Sequence, residues 1–385
     1  MRPRIWLLRG DSLSPWEWQN FAPLLDRFQI QPVCSWSNRQ STEGMSPLRL
    51  FCWEDFLRRL RFGERLDVLY RVHTGEECRL WGIERHVGRG NLIHTADTFY
   101  SYTEQAVRLR RRDGPPVLVT CWDNIPFNHE EHPRMRRRKG FVRKNADFFI
   151  PVTEKAARAL EWEGVERRRM QVLTPGVDTT RFRPRPEERS SARKRWNLPE
   201  AAPILLFVGR LEWEKGVWDL LQAARILRER SDRWLLLWVG TGSQQTRLQD
   251  VTNHWGLMGR CRWLGSVPYR EMASIYAAAD VFVAPSLITS YWEEQLGMVL
   301  LEGMASGLPV VTAPSGSIPE VVGEAARLVP LHEPKDLAEA IEQLLEDESY
   351  RRTLAQRGRE RAIECFDRNL FAQNLARIYE RLLEA

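Results

Sequence analysis

The sequence predicts an α/β protein built of two successive doubly wound domains, each with a parallel sheet covered by helices. Three observations lead to this prediction. The chain has 385 residues, which is too long for one compact core. Short apolar runs alternate with amphipathic helical patterns along most of it, an order typical of parallel sheets. A charged, Pro-rich segment over 174–203 interrupts this alternation near the middle.

In the first domain, six apolar runs are predicted to be strands. They cover 4–8, 66–70, 92–94, 117–121, 148–152 and 170–173. Helical patterns lie between the later strands, one of them over 98–111. Another helix is predicted over 154–163, because Thr153 is placed to cap its start and Gly164 to end it.

The second domain is predicted to begin after a linker that contains a short helix, over 174–203. Its strands cover 204–208, 234–239, 261–264, 281–284, 309–312 and 327–329. From 334 to the end, the chain is predicted to be almost wholly helical, with one break near Cys365. Two doubly wound domains are the simplest account of this order of elements.

The composition argues against several classes of protein. No run of 18 apolar residues occurs, so no membrane-spanning helix is predicted, and the N-terminal segment lacks the features of a secretory signal. Six widely spaced cysteines without a CxxC pair suit reduced core residues of a cytosolic protein. The 16 Trp, 15 Phe and 8 Tyr can bury a large area, which argues against disorder.

The net charge of +6 is distributed unevenly, since residues 1–190 sum to +9 and residues 191–385 to −3. An anionic partner of the basic half is one interpretation, and a solvated arginine-rich surface is the other. The most basic segments are 108–112 and 134–144, and the second could form a helix that rests on anionic lipid. Nucleic acid is less favoured, because no module that binds it is recognisable.

The segment 204–216 carries the first candidate site. An apolar strand ends at Gly209, where the missing side chain lets a ligand approach the backbone. Arg210 and Lys215 follow in the loop before the next helix. Ligands of open α/β sheets bind at the carboxyl ends of strands, and two cations beside a helix N-terminus suit a pyrophosphate. Surface pairing of both cations with nearby glutamates is the alternative.

A second candidate site lies in 286–309. A loop with Glu293 and Glu294 follows a buried strand, and a helix is predicted over 297–306. Glu294 lies near the helix start and Glu302 just over a turn inside it. Two carboxylates at one strand end suit the recognition of hydroxyl groups, because ionised carboxylates accept several hydrogen bonds. The alternative is a pair of exposed glutamates on a helix.

Four stretches resemble, in order, the retaining glycosyltransferases of family 4, which have the GT-B fold. They are LTPGVDTTRFRP (173–184), FVGRLEWEKG (207–216), WLGSVPYREMASIYAAADVFVAPS (263–286) and EEQLGMVLLEGMASGLPVV with SGSIPEVV (293–322). The resemblance implies two Rossmann-like domains facing across a cleft. The acceptor-binding domain would span 1–185 together with a crossover helix over 366–385, and the donor-binding domain would span 200–365.

The same resemblance implies that the second domain binds a nucleotide-diphosphate sugar. Arg210 and Lys215 match the pair that neutralises the donor diphosphate. Glu302 matches the glutamate at the ribose hydroxyls, and Glu294 the one at the sugar hydroxyls. The other donor-binding positions are Gly209, Gly265, Val267, Gly297, Met298 and Val299. No DxD motif occurs, so we expect no metal and no cofactor, with the two cations and a helix dipole stabilising the leaving diphosphate.

The first domain departs from the family pattern at one position. Family members commonly carry a histidine after the strand equivalent to 117–121, and Trp122 stands there in this sequence. The candidates of this domain are Asp123, Asn124 and His129, on the loop after this strand, and His94 and Asp97, at another strand end, with a structural role as the alternative. The HEEH run over 129–132 has a spacing that disfavours a metal site. The predicted catalytic set is Glu294, Arg210, Lys215, His94 and Asp123.

The implied reaction is transfer of a sugar from a UDP- or GDP-sugar to a hydroxyl of a saccharide or lipid-linked acceptor, with retention of configuration. Cell-surface polysaccharide or glycolipid synthesis is the expected pathway. A nucleotide-sugar epimerase or hydrolase is one alternative. A non-catalytic partner subunit is another, because Trp122 stands where the family commonly carries a histidine. We expect a cytoplasmic protein, either free or peripheral at the inner face of the plasma membrane.

Overall fold

The computed structural model describes residues 2–38, 40–57, 60, 63–75, 78–111, 114–231 and 233–384. Arg112, the last residue of the basic segment 108–112, lies outside these ranges. The chain forms two compact units. Unit 1 comprises Met1–Pro175 and Arg368–Ala385, and unit 2 comprises Gly176–Asp367.

Unit 1 is a six-stranded parallel sheet with helices on both faces. Its strands are β1 (Arg4–Gly10), β2 (Gln29–Ser35), β3 (Leu48–Leu50), β4 (Leu92–Ala96), β5 (Val117–Cys121) and β6 (Phe148–Pro151), in the order β3-β2-β1-β4-β5-β6. Its helices are α1 (Pro15–Trp18), α2 (Trp53–Leu57), α3 (Gly63–Thr74), α4 (Ile83–Val87), α5 (Ser101–Arg110), α6 (Pro133–Asn145), α7 (Glu154–Trp162) and α16 (Arg368–Glu384).

Two apolar clusters cover the two faces of this sheet. One contains Tyr102 of α5 and Val142 of α6, and the other contains Phe21 and Tyr379 of α16. The C-terminal helix is therefore part of the core of unit 1. The predicted cap of α7 is confirmed, because the Thr153 side chain accepts a hydrogen bond from the Ala156 N–H.

Two predicted strands of unit 1 are wrong. Residues 66–70 lie in α3, where Val68 and Leu69 are exposed and Asp67 is buried, so the apolar run does not enter a sheet. Residues 170–173 form no strand, since Met170 makes only an isolated bridge to Phe149. The strands β2 and β3 were not predicted from the sequence. Polar residues and Pro32 interrupt the apolar pattern of β2, and β3 has only three residues.

Unit 2 has the same architecture. Its strands are β7 (Ile204–Val208), β8 (Leu235–Val239), β9 (Cys261–Gly265), β10 (Val281–Ala284), β11 (Val310–Thr312) and β12 (Arg327–Leu328), in the order β12-β11-β10-β7-β8-β9. Its helices are α8 (Arg189–Arg195), α9 (Val217–Arg230), α10 (Gln245–His254), α11 (Met272–Ala278), α12 (Met298–Ala305), α13 (Ile318–Val322), α14 (Pro334–Glu346) and α15 (Glu348–Phe366). All six predicted strands of this unit are confirmed within one residue at each end.

The segment predicted as a linker folds onto unit 2. The buried Arg193 of α8 donates hydrogen bonds to the carbonyls of Ala278 and Ala202, and it forms an ion pair of 2.7 Å with Asp280. These contacts hold the segment against the start of β10. The predicted break near the C-terminus is confirmed at Asp367, and a second break occurs at Asp347, which caps α15.

Five of the six cysteines are buried and none forms a disulfide, whereas Cys365 is exposed and so does not belong to the core as predicted. Within the described ranges, no helix combines the length and the apolar character needed to cross a bilayer.

Candidate functional site

A pocket of about 210 Å³ opens in unit 2, where β7 and β10 end. It brings together seven of the ten predicted donor-binding residues. These are Gly209, Arg210, Lys215, Glu294, Gly297, Met298 and Val299. The remaining lining is mostly apolar and comes from the ends of the two strands and from Leu300 and Ser286.

Two glycines allow the loops around this pocket to pack closely. Gly216 has φ +67°, and a Cβ atom there would lie 1.8 Å from the Pro285 carbonyl oxygen. Gly316 has φ +56°, and its Cβ would lie 2.0 Å from the carbonyl oxygen of Glu294. Any side chain at either position would push the loops apart. The first glycine places Lys215 beside the end of β10, and the second fixes the backbone of Glu294.

Lys215 and Glu294 form the polar centre of the pocket. The Lys215 Nζ lies 2.8 Å from Glu294 Oε2 and 4.6 Å from the centroid of the Trp292 ring. Ser286 donates a hydrogen bond of 2.8 Å to the same carboxylate oxygen. The Glu294 N–H donates to Ser315, and the Ser317 N–H donates to the Glu294 carbonyl. Both charged side chains are therefore held in fixed positions.

Arg210 reaches the rim of the pocket but is largely exposed. Its guanidinium forms an ion pair of 2.8 Å with Glu214, four residues along the chain. This contact is the surface pairing that the sequence left open as an alternative. Exposed ion pairs of this kind contribute about 0–1 kcal/mol to stability. A phosphate could therefore replace Glu214 as the partner of the guanidinium at little cost in free energy.

The α12 helix points its N-terminus into the pocket. Gly297 is its N-cap with φ +76°, and the residues of the first turn, from Met298 to Leu300, line the pocket. The first N–H groups of a helix lack partners within the helix and carry partial positive charge. An anion in the pocket would therefore meet these N–H groups together with Lys215.

Glu302 lies one turn further along α12 and does not line the pocket. Its carboxylate is buried and accepts a hydrogen bond of 2.9 Å from the Tyr276 hydroxyl. Burial raises the pKa of Glu302 to about 7, against the opposing effects of Tyr276, Tyr269 and Arg181. The tyrosine partners come from a different segment, 263–286, which resembles the family but in which the sequence did not single them out.

Gly265 is the last residue of β9 and Val267 follows it, and both lie outside the pocket. Gly265 has φ +67°, and no atom lies within 4 Å of the position that its Cβ would occupy. It pairs with Val239 at the end of β8. Both residues are partly exposed at the carboxyl edge of the sheet that also carries the pocket.

His94 is a core residue of unit 1. Its Nδ1 lies 2.7 Å from the Tyr379 hydroxyl and its Nε2 lies 2.6 Å from Thr120 Oγ1. Burial, followed by the charge of Arg9, lowers the pKa of the ring well below its ordinary value, so the ring is neutral. Because both nitrogens are occupied and the ring is inaccessible, this geometry supports the structural role of His94 and not the catalytic one.

Asp123 lies after β5 beside a second carboxylate, Asp97, which follows β4. The N–H groups of Trp122 and Asp123 donate to Asp97, whose pKa is raised to about 7 by burial and by the Asp123 charge. Burial also raises the pKa of Asp123, while the ammonium of Lys139 at 3.8 Å opposes this. The Oδ2 atom of Asp123 is buried and has no hydrogen-bond partner among the described residues.

The HEEH run lies in the turns that lead into α6. His129 has φ +63°, and His132 caps α6 by accepting a hydrogen bond from the Arg134 N–H. In the part of the chain that the structure describes, no three His, Cys, Asp or Glu side chains are grouped so that they could hold a metal ion.

Comparison with known families and proteins agrees with this architecture. Residues 188–361 match the family model described as glycosyl transferases group 1, and residues 46–176 match the glycosyl transferase 4-like domain. The chain has the GT-B fold, and its two units are similar to these two glycosyltransferase families. The GT-B fold predicted from the sequence is thereby confirmed.

Curated relatives of this GT-B chain include two proteins named D-inositol 3-phosphate glycosyltransferase. The one from Corynebacterium urealyticum is 33% identical over 267 residues, which are 66% of this chain and 61% of the relative. The one from Corynebacterium kroppenstedtii is 32% identical over 309 residues, which are 77% of this chain and 63% of the relative. The chain thus spans about three fifths of the length of these relatives.

Solved structures share the GT-B fold over essentially the whole chain. Sucrose-phosphate synthase from Thermosynechococcus elongatus has a TM-score of 0.74 at 21% identity and covers 100% of both chains. Anabaena HepE in complex with UDP-glucose has a TM-score of 0.74 at 18% identity, covering 99% of this chain and 100% of HepE.

Several residues of the unit 2 pocket were missed in the sequence. Ser286 and Trp292 contact the central ion pair, and Gly316 fixes the backbone of Glu294. Gly316 and Ser286 lie within stretches that resemble the family, so the motif positions carried a signal. The packing of Trp292 on Lys215 connects positions 77 apart, and nothing in the sequence pointed to it.

Proposed function

We propose that this GT-B chain transfers a sugar from a UDP- or GDP-sugar to an acceptor hydroxyl. The observation that carries the proposal is the fixed pair of Lys215 and Glu294 beside the N-terminus of α12, in a pocket at the carboxyl ends of β7 and β10. The names of the curated relatives and the UDP-glucose complex of HepE support it.

The diphosphate of the donor would occupy the pocket between Lys215, Arg210 and the first turn of α12. A lysine ammonium has three N–H donors, and one contact to Glu294 leaves donors for phosphate oxygens. The volume of about 210 Å³ is below that of pockets that enclose whole drug-sized ligands, roughly 300–1,000 Å³. The pocket would therefore hold the diphosphate and sugar, with the nucleoside extending toward Gly265 and Val267.

Glu294 would accept hydrogen bonds from the sugar hydroxyls, because its carboxylate is fixed and lines the pocket. Glu302 would accept bonds from the ribose hydroxyls in its ionised form. To do so, it would exchange at least part of its contact with Tyr276 for the donor.

In the proposed reaction, the bond between the anomeric carbon of the donor sugar and the diphosphate oxygen breaks. The acceptor oxygen forms a new bond to this carbon on the same face, and its proton passes to the departing diphosphate. Retention of configuration follows from this front-face pathway. Lys215, Arg210 and the α12 dipole stabilise the charge on the leaving group, so the proposal includes no metal and no cofactor.

Asp123 remains the candidate for contacting the acceptor in unit 1, because its side chain is partly exposed just after β5 and its Oδ2 has no hydrogen-bond partner among the described residues. His94 is not part of the proposed machinery. The proposed acceptor is the one that the resemblance implies, a hydroxyl of a saccharide or of a lipid-linked molecule. The proposed pathway is cell-surface polysaccharide or glycolipid synthesis. A cytoplasmic location, with or without contact to the inner face of the plasma membrane, belongs to the same proposal.

The experiment is to incubate the purified chain with UDP- and GDP-sugars and candidate acceptors, and to measure released nucleotide diphosphate and the anomeric configuration of the product. Lys215→Ala and Glu294→Gln should each lower turnover at least about 100-fold, as expected when a group that stabilises the transition state is removed. Lys335→Ala, an exposed lysine of unit 2, is the matched control.

Three other outcomes would contradict the proposal. Unchanged transfer in both variants would exclude the pocket as the donor site. Conversion of the donor without an acceptor would favour the epimerase or hydrolase. A chain that binds no UDP or GDP nucleotide would favour the non-catalytic subunit.

A further inference from the structure

A second and larger pocket, of about 670 Å³, lies in unit 1 between α5 and α6. We call it the arginine pocket. Among the described residues, its polar lining consists of Glu104 and the five arginines Arg79, Arg108, Arg134, Arg137 and Arg138. Five guanidinium groups against one carboxylate give the pocket a strong excess of positive charge. It is separate from the donor pocket, which lies in unit 2.

Glu104, the one carboxylate among the described residues of the arginine pocket, is already neutralised. One oxygen of Glu104 accepts hydrogen bonds of 2.9 and 2.6 Å from Arg108, and the other accepts one of 3.1 Å from Arg138. Burial raises the pKa of Glu104, but the two arginines more than offset this and lower it below the ordinary value. Glu104 is thus ionised at neutral pH and its charge is matched by these two partners.

The other three arginines contribute the unmatched charge. Arg79, Arg134 and Arg137 form no ion pair with a carboxylate among the described residues, although Arg134 donates to the Thr74 carbonyl. Three guanidinium groups facing one cavity repel each other and are costly to hold together in the absence of an anion. Such an arrangement is characteristic of a binding site for an anionic ligand.

The base of the pocket is rigid. The Arg138 side chain is 4% exposed, and its guanidinium also donates to the carbonyls of Gly75 and Phe99 at 2.7 and 3.0 Å. The Arg108 guanidinium lies over the Phe141 ring, 4.7 Å from its centroid. Two of the five arginines are therefore already ordered before any ligand binds, which lowers the entropy cost of binding.

We infer that the arginine pocket binds a phosphate-bearing anion. Guanidinium groups form paired hydrogen bonds with phosphate oxygens, and arginines from three segments can surround a tetrahedral phosphate. The volume admits a phosphate together with the polar group that carries it. The ligand is either a free organic phosphate or the phosphate of a lipid headgroup. This inference does not depend on the donor site or on the reaction proposed above.

The test compares the full chain with the double variant Arg79→Gln/Arg137→Gln, which changes two exposed side chains of the pocket. Arg158→Gln, an exposed arginine of α7, is the matched control. Inorganic phosphate and pyrophosphate are titrated by calorimetry at low salt. All three proteins retain the donor pocket, so any binding of these anions in unit 2 is common to all of them.

We expect the double variant to bind phosphate or pyrophosphate at least about tenfold more weakly than the other two proteins, because it loses two charged donors. A second arm measures flotation with vesicles of phosphatidylglycerol and phosphatidylcholine. A lipid headgroup would be identified as the source of the phosphate if only the double variant loses vesicle binding while all three proteins bind the free anions weakly. The inference is overturned when the double variant binds both the free anions and the vesicles as well as wild type does. It is also overturned when the control loses as much binding as the double variant.

Discussion

Replacing Glu302 by Gln should stabilise unit 2 at alkaline pH. In the folded chain the carboxyl group is buried, and its pKa is raised from 4.5 to about 7. The folded chain therefore binds a proton that the unfolded chain releases between these two values. The stability that this proton brings is present below pH 4.5 and is lost as the pH rises through 7.

The size of the effect follows from the shift. A difference of about 2.5 pKa units, at about 1.4 kcal/mol per unit, gives roughly 3 kcal/mol at pH 8. A glutamine cannot ionise, and its carbonyl oxygen can still accept the hydrogen bond of Tyr276. At every pH, the free energy of unfolding of Glu302→Gln should therefore resemble that of the protonated wild type. The variant also lacks the carboxylate that is proposed to bind the ribose.

The assay is urea unfolding at pH 5 and pH 8, followed by far-UV circular dichroism. Glu346→Gln, an exposed glutamate of α14, is the control. We expect Glu302→Gln to gain about 2–3 kcal/mol relative to wild type between pH 5 and pH 8, and the control to gain nothing comparable. A difference from wild type that stays constant with pH would refute the burial argument.

Three further substitutions test other parts of the structure by the same unfolding assay. Gly216→Ala should destabilise unit 2 by more than about 1–2 kcal/mol, because it adds a close contact with Pro285 to an unfavourable φ; a neutral effect would contradict this packing. His94→Ala should cost about 2–4 kcal/mol and leave the turnover of the folded variant intact, whereas lost turnover at full stability would favour a catalytic histidine. Arg193→Ala should cost about 3 kcal/mol, because the carbonyls of Ala278 and Ala202 lose their buried donor and Asp280 loses one of its two arginine partners, keeping Arg189. The exposed Lys194→Ala should cost less than about 0.5 kcal/mol.

Most of the strands that the sequence predicted well are buried on both faces, although β9 and β12 are partly exposed. Runs such as Val117–Cys121 and Ile204–Val208 are continuous, apolar and flanked by helices, so pattern alone was enough. The run 66–70 is also mostly apolar, but it lies on α3 with three large side chains exposed, those of Leu66, Val68 and Leu69. Local composition does not show which face of an element finds a partner, and this is why that prediction failed.

For the candidate site too, the sequence predicted some features and missed others. Spacing and family resemblance located Lys215, Glu294 and the start of α12 in one pocket, because motif order fixes which strand ends come together. The burial of Glu302 against Tyr276 depends on how α11 packs on α12. The occupied nitrogens of His94 depend on α16, almost 300 residues away. Contacts of this range require the folded structure.

The most direct test of the central claim is a crystal structure of the full chain with UDP or GDP bound. The diphosphate is predicted to lie within hydrogen-bond distance of Lys215 Nζ and of the first N–H groups of α12, with Arg210 turned from Glu214 toward it. A nucleotide bound elsewhere, with the ion pair of Lys215 and Glu294 undisturbed and no phosphate at α12, would contradict the proposed donor site.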